Sequence, residues 1–334
     1  MTTRAVHPQR SPRPAHAEAQ PSSPRPGAGR KVLAAVGIVA TLPYLTLKTA
    51  WLAGSHLGIP AGSALLEAPL FLTVANAVTV VMDAAVIVLV LVLTRPWGMR
   101  VPAWLLTVPA FVATGLLTPI VLGFPGQLLL RALGLGPDAA EQAAREPFLD
   151  PWVFHVVYSG FIVQAIALAG LFVPYARERW GRLWRGPLGA RLPSPTGVVA
   201  GAAAALAVVV SVVHFYWAFG GTAGHNAAQI AQYSSDTGVG SAVHGICALT
   251  AGAGAVLLAR GGARRAGWPL AVAWTGSAAT LCWGMGMLTA LTGGEPGPGE
   301  QTTTATYLIY AGQMITALLA TAVMGRFLAG RRAV

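Results

Sequence analysis

The sequence predicts an all-α integral membrane protein with eight transmembrane helices, arranged as two parallel four-helix repeats. Three observations predict this fold: the composition, the placement of the basic residues, and similar motifs in the two halves. Of the 334 residues, 54% are hydrophobic and 10% are charged, whereas soluble proteins average about 25% charged residues. The composition therefore excludes a soluble globular domain.

Eight long apolar segments are each close to the roughly 20 residues that a helix needs to cross a bilayer core of ~30 Å. Turn residues such as Arg95–Pro96 separate these segments along the chain. The predicted spans are 32–54, 69–94, 102–123, 153–175, 197–219, 240–259, 268–291 and 304–326.

The 22 Lys and Arg residues fall in the N-terminal tail, in every second loop and in the C-terminal tail, except for Lys48, Arg131 and Arg145. Short basic loops stay on the cytoplasmic side during insertion. We therefore expect a multi-pass protein of the plasma membrane with both termini in the cytoplasm. Attraction of these arginines to anionic lipid headgroups accounts for the net charge of +11, and no nucleic-acid partner is expected.

Composition and charge divide the chain into four parts. Residues 1–30 are rich in Pro, Arg and Ser, and such a segment buries too little apolar surface to fold, so a disordered basic tail is predicted. Residues 31–176 form the first four-helix repeat, residues 177–196 a basic cytoplasmic linker, and residues 197–334 the second repeat.

The halves share two spaced patterns. In the first and fifth spans, a cation-capable residue is followed three positions later by Trp and three positions after that by Gly. These stretches are Lys48-Thr-Ala-Trp51-Leu-Ala-Gly54 and His214-Phe-Tyr-Trp217-Ala-Phe-Gly220. In the fourth and eighth spans a Tyr precedes a Gln by six positions, as Tyr158 and Gln164, and as Tyr307 and Gln313. Each half has an even number of spans, so the repeats should be parallel.

The second of these stretches, His214-Phe-Tyr-Trp217-Ala-Phe-Gly220-Gly221, resembles the HxYWAxGG signature of small four-span actinobacterial proteins that are classed as a domain of unknown function. The whole chain resembles their eight-span relatives, which are uncharacterised polytopic membrane proteins. The first half departs from the signature, because Lys48 replaces the His and Ser55 replaces the second Gly. The resemblance implies a membrane architecture and no established activity.

Two ionisable residues, Lys48 and Asp83, lie inside predicted spans. A charged side chain at mid-bilayer costs about 2.5–3.5 kcal/mol and is a candidate functional group. Their estimated depths, and the lean of side chains toward the helix N-terminus, predict a buried ion pair, with Asn76 and Thr79 on the face that carries Asp83. Such a pair either orders two helices or opens as part of a proton or solute relay.

Three histidines, His155, His214 and His244, map to the outer half of the membrane. Imidazoles on neighbouring helices can bind copper, zinc or haem iron, and these three are the candidate metal ligands. No compact metal-binding motif accompanies them, so no cofactor is expected. Hydrogen bonding of single histidines within the bundle is the other interpretation.

Three classes of function remain open. A transporter-like protein for a small solute or ion would have a polar path at the seam between the repeats. The binding or relay candidates for that path are Lys48, Asp83, Asn76, His214, His244, Tyr158, Gln164, Tyr307 and Gln313. A membrane-embedded metal- or haem-binding redox protein or enzyme would use the outer histidines, and a structural or accessory membrane protein would need only helix packing. The first class is favoured, and no catalytic residue is predicted.

Overall fold

The computed structural model describes residues 27–67, 69–138, 148–292 and 301–332. Within these ranges the regular structure is almost entirely helical. The long helices are α1 (Ala28–Leu52), α2 (Pro69–Thr94), α3 (Ala103–Ala132), α4 (Pro151–Trp184), α5 (Thr196–Ala218), α6 (Ser235–Arg260), α7 (Gly267–Thr292) and α8 (Thr304–Arg332). Shorter elements are the helices Ala64–Glu67 and Ala227–Ala231, the 3₁₀ turn Pro96–Arg100, and the strands β1 (Pro187–Gly189) and β2 (Gly262–Arg265).

Seven helices within the described ranges are long and apolar enough to cross a membrane. The prediction of an all-α, multi-pass membrane protein is therefore confirmed. Of the eight long helices in the described ranges, α7 is the one that is not among these seven. Its Gly, Ser, Thr and Trp residues lower its mean hydropathy. It packs against α3, α6 and α8, so these less apolar side chains have protein neighbours.

Helix boundaries differ from the predicted ones where helices continue beyond the apolar segment. Helix α4 extends to Trp184, which places the beginning of the predicted linker 177–196 in a helix. Helix α3 extends to Ala132, nine residues beyond the predicted end of the third span. Helix α1 begins at Ala28, inside the predicted tail, and residues 1–26 of that tail lie outside the described residues. Backbone hydrogen bonding does not require apolar side chains, so hydropathy underestimates helix length.

The start of α1, the end of α8 and the arginine-rich connections lie at one end of the bundle. We call this the basic end. Arg30 Nη2 donates to the Leu93 carbonyl at 2.9 Å, joining α1 to α2. Arg331 Nη1 donates to the Leu183 and Arg185 carbonyls at 3.2 and 3.0 Å, joining α8 to the end of α4. Strands β1 and β2 pair antiparallel at the same end. The arginine side chains at the basic end therefore also connect helices to one another.

Small residues allow close helix contact in the second half of the chain. A Cβ at Gly254 would lie 2.5 Å from the Ala273 Cα, and one at Gly276 would lie 2.4 Å from the Ala251 nitrogen. Helices α6 and α7 therefore touch backbone to backbone, as small residues permit in membrane bundles.

The two halves meet mainly through α3 and α7. Trp274 Nε1 donates to Thr114 Oγ1 at 3.1 Å, and Trp283 Nε1 donates to the Leu116 carbonyl at 3.2 Å. A Cβ at Gly115 would lie 2.4 Å from the Ala278 carbonyl oxygen. Helix α7 is consequently the central helix that connects the second half to the first.

Candidate functional site

The first half contains a column of polar side chains that begins one turn from the end of α1. Lys48 Nζ donates to Asn76 Oδ1 at 2.9 Å. The same ammonium lies 4.9 Å from the ring centroid of Tyr44 and 4.8 Å from that of Trp51. One hydrogen bond and two cation–π contacts therefore hold the lysine charge, a combination that stabilises a partly desolvated cation.

The predicted ion pair between Lys48 and Asp83 is not formed. The described residues form two ion pairs, Arg30–Glu178 and Arg131–Asp236, and neither includes these side chains. The reason lies in the first helix, which starts at residue 28 rather than 32. The earlier start moves Lys48 about 6 Å further from the basic end at 1.5 Å per residue, and so to the level of Asn76.

Asp83 is the unusual group of the column. It is 5% exposed, and its Oδ2 is buried without a hydrogen-bond partner in the described part of the chain. Lys48 and Tyr44 are its electrostatic neighbours. A buried carboxyl group without a partner is costly, so its presence in the core of a membrane protein calls for a functional explanation.

A further buried polar side chain, Gln164 of α4, lies nearer the basic end than Asp83. A Cβ at Gly37 would lie 3.4 Å from the Ala167 Cβ and 3.5 Å from the Val90 Cγ2, so α1, α2 and α4 converge there. Gln164 lies about one turn before Ala167 on α4 and is 2% exposed. Its Oε1 is also buried without a partner among the residues described. We use the name polar column for Tyr44, Lys48, Asn76, Thr79, Asp83 and Gln164.

The second half contains a histidine cluster, formed by His214, Gln313 and His244. His214 Nε2 donates to Gln313 Oε1 at 3.2 Å, because an amide oxygen only accepts. The amide nitrogen of Gln313 donates to His244 Nδ1 at 3.5 Å. The glutamine thereby determines the tautomers of both rings and leaves His214 Nδ1 without a partner in the described chain. All three side chains are buried.

Aromatic rings enclose this cluster. The His214 ring centroid lies 5.4 Å from that of Trp217 and 6.0 Å from that of Tyr310, and the His244 centroid lies 5.6 Å from that of Trp283. Beyond the end of α5, His225 stacks on Trp217 at 4.4 Å, and burial lowers the pKa of His225 below its ordinary value. A neutral imidazole is thus favoured on the indole face.

The three histidines predicted as metal ligands are not brought together. His155 is exposed on α4 and lies beside Phe124, with ring centroids 5.8 Å apart. His214 and His244 lie 5.2 Å apart between centroids, with Gln313 hydrogen bonded to both. No group of three or more metal-ligating side chains occurs in the described ranges.

The two tyrosines predicted to be equivalent have different neighbours. Tyr158 contacts Phe124 and Phe154, at 5.3 and 5.8 Å between ring centroids, and is an electrostatic neighbour of Tyr44. Tyr307 is exposed and donates to the Leu291 carbonyl at 3.4 Å. Tyr158 therefore adjoins the polar column, whereas Tyr307 lies outside the histidine cluster.

The turns that follow α1 and α5 have the same geometry. Trp51 Nε1 donates to the carbonyl oxygen six residues later at 2.8 Å, and Trp217 Nε1 does so at 2.9 Å. Gly54 and Gly220 both follow the last helical turn with positive φ angles of 88° and 83°, a conformation that glycine adopts without strain. The Lys48 and His214 positions precede these turns by the same number of residues.

The seam between the halves is apolar. A cavity of about 770 Å³ lies there, lined mainly by α3, α4 and α7, and none of the nine predicted binding or relay residues lines it. The polar column is built on α1, α2 and α4, and the histidine cluster on α5, α6 and α8. The prediction of one polar path at the seam is therefore wrong, and each half encloses its own polar group.

Sequence reasoning named Trp51 and Trp217 but missed one aromatic partner in each cluster. Tyr44 lies one turn before Lys48 and contacts its ammonium. Trp283 contacts His244 from α7. The spacing of four residues between Tyr44 and Lys48 is a usable signal, because residues four apart share a helix face. No comparable signal links Trp283 to His244.

Comparisons with protein-family models, with curated proteins and with solved structures give no match.

Proposed function

We propose that the chain spans the membrane eight times as two parallel four-helix units, with both termini in the cytoplasm. Support comes from the matching turns after α1 and α5, since the same shift in residue number relates Trp51 to Trp217 and Gly54 to Gly220. The arginine-rich connections share one end of the bundle, as the insertion rule for basic loops requires.

Reporter fusions test this topology. A reporter that is active only in the cytoplasm should be active when fused after Arg332 or within β2, and inactive when fused after Gly134. Helix α7 is decisive, because it is the long helix outside the seven apolar candidates. If α7 did not cross the membrane, the fusions after β2 and after Arg332 would report opposite sides, and the eight-span proposal would fail.

We further propose that the protein is transporter-like and moves a small ion, in the first instance the proton, along the polar column. The observation that carries this proposal is Asp83, a carboxyl group 5% exposed whose Oδ2 has no partner in the described part of the chain. Intramembrane carboxyl groups are typical of proton relays and ion pathways.

A purely structural role would need a direct partner for that carboxyl group. Lys48 is the cation on the neighbouring helix, and its ammonium contacts Asn76 and two aromatic rings. Asp83 therefore keeps acceptor capacity that a proton or small cation can use. The column leads from near the end of α1 to the level of Gln164, so in this proposal the ion enters from the end opposite the basic one.

Proton flux into proteoliposomes tests the proposal. Vesicles containing the full chain and a luminal pH dye should acidify when a potassium diffusion potential, negative inside, is imposed with valinomycin. Asp83→Asn should lower the protein-dependent rate at least about tenfold, because general acid–base groups contribute factors of about 10²–10⁴ to proton transfer.

Glu178→Gln is the matched control. Glu178 is exposed at the basic end, where it pairs with Arg30 at 3.8 Å, and its replacement should leave the flux unchanged. Size-exclusion profiles of both variants establish that folding is preserved. Flux equal to that of empty vesicles, or equal flux in folded wild type and Asp83→Asn, would refute proton movement through Asp83.

A further inference from the structure

The cavity at the seam is not used by the proposed ion pathway. Its volume of about 770 Å³ lies within the range of about 300–1,000 Å³ that is typical of ligand sites. Its lining extends along α3 from Ala103 to Leu122 and along α4 from Ala165 to Trp184. Either stretch is about 28 Å long at 1.5 Å per residue. The cavity is therefore a long groove that runs from the basic end along two helices.

The walls of the groove are apolar and open on one side. Exposed side chains of Trp104, Leu122 and Ile166 belong both to the lining and to the outer surface of the bundle. Three threonines on α3 also line it, and each donates its hydroxyl to a carbonyl of its own helix. The α3 wall thus offers an apolar surface rather than unsatisfied polar groups, which suits hydrocarbon.

One charged side chain of the described chain lines the groove, and that is Arg332 at the last residue of α8. It is exposed at the basic end. Its neighbour Arg331 is held by carbonyl oxygens of Leu183 and Arg185, so the two guanidinium groups have different roles. Trp184 lines the same end of the groove, and indoles favour the headgroup level of a membrane.

We propose that this groove binds an anionic phospholipid, with its acyl chains against α3, α4 and α7 and its phosphate on Arg332. The long apolar wall of the groove accommodates the acyl chains. The single cation in the lining that the structure describes matches the negative headgroup, and guanidinium groups bind phosphate through paired hydrogen bonds. The lateral opening lets the lipid enter from the leaflet at the basic end.

Native mass spectrometry of the full chain in detergent, titrated with phosphatidylglycerol or phosphatidylcholine, tests this site. The wild type should retain one phosphatidylglycerol at least about tenfold more tightly than phosphatidylcholine. Arg332→Gln should remove most of that preference, because the headgroup loses its charged partner. Ala271→Phe should weaken the binding of both lipids, because Ala271 lines the groove and the added ring fills it.

Two matched variants separate this site from general lipid contact. Arg326→Gln removes an exposed arginine of the same helix that does not line the groove. Ala205→Phe adds the same ring at an exposed position of α5. Both should bind phosphatidylglycerol like the wild type. Equal retention of the two lipids by the wild type, or equal effects of groove and control variants, would show annular contact only and overturn the proposal. Proton flux is measured separately, so either proposal can fail alone.

Discussion

Replacing Gln313 by leucine is expected to lower the free energy of unfolding by about 2–6 kcal/mol. The carboxamide of Gln313 is the hydrogen-bond partner of His214 Nε2 and of His244 Nδ1. Leucine leaves both imidazoles buried and unpaired, and each unsatisfied buried group costs about 1–3 kcal/mol. The measurement is reversible unfolding in mixed micelles with increasing SDS, followed by tryptophan fluorescence.

Gln164→Leu is the matched control, because Gln164 occupies the corresponding position of the tyrosine–glutamine pattern in the first half. Its Oε1 is buried without a partner among the described residues, so leucine there removes an unsatisfied acceptor. That variant should unfold with a free energy equal to or higher than that of the wild type. Equal losses in the two variants would contradict the role of Gln313 as a bridge between the histidines.

The two halves therefore use their buried polar groups differently. In the second half a glutamine bridges two histidines, leaving His214 Nδ1 without a partner in the described chain, and small residues bring α6 and α7 together. In the first half a carboxyl oxygen and a glutamine oxygen lack partners in the described chain. A glutamine that bridges two rings rigidifies a core, whereas a buried carboxyl group without a partner retains capacity for a cation. This contrast favours the first half as the part that binds an ion.

The sequence predicted the positions of the long helices because apolar length alone is a strong signal in membrane proteins. It did not predict the partner of Lys48. That choice depends on the start of α1, and a shift from residue 32 to residue 28 is about 6 Å along the axis. That shift is more than half of the roughly 10 Å along α2 that separates Asn76 from Asp83.

The sequence also did not predict the direction in which each side chain points around its helix axis. His155, His214 and His244 were placed on the correct helices and toward the same end, but His155 is exposed beside Phe124. The depth of a residue along its helix follows from counting residues. The neighbours of its side chain depend on which helices pack together. The enclosure of α7 by α3, α6 and α8 results from contacts between distant segments, and hydropathy contains no information on such contacts.

Gly276→Ala on α7 is expected to destabilise the protein by about 1–3 kcal/mol, the usual cost of overpacking a well-packed core. The added methyl group would lie 2.4 Å from the Ala251 nitrogen and 2.7 Å from the Thr250 carbonyl carbon. Both are backbone atoms of α6, so the helices must separate to accommodate the methyl group. The midpoint of thermal unfolding, followed by intrinsic fluorescence in detergent, measures the loss.

Gly286→Ala on the same helix provides the opposite case. A Cβ at that position meets no atom within 4 Å, and alanine is favoured over glycine inside a helix by up to about 1 kcal/mol. The midpoint should therefore stay constant or rise for Gly286→Ala and fall for Gly276→Ala. Because the two substitutions are chemically identical, a difference in sign can come only from the contact with α6. A fall of equal size in both would mean that α6 and α7 do not approach as closely as the structure places them.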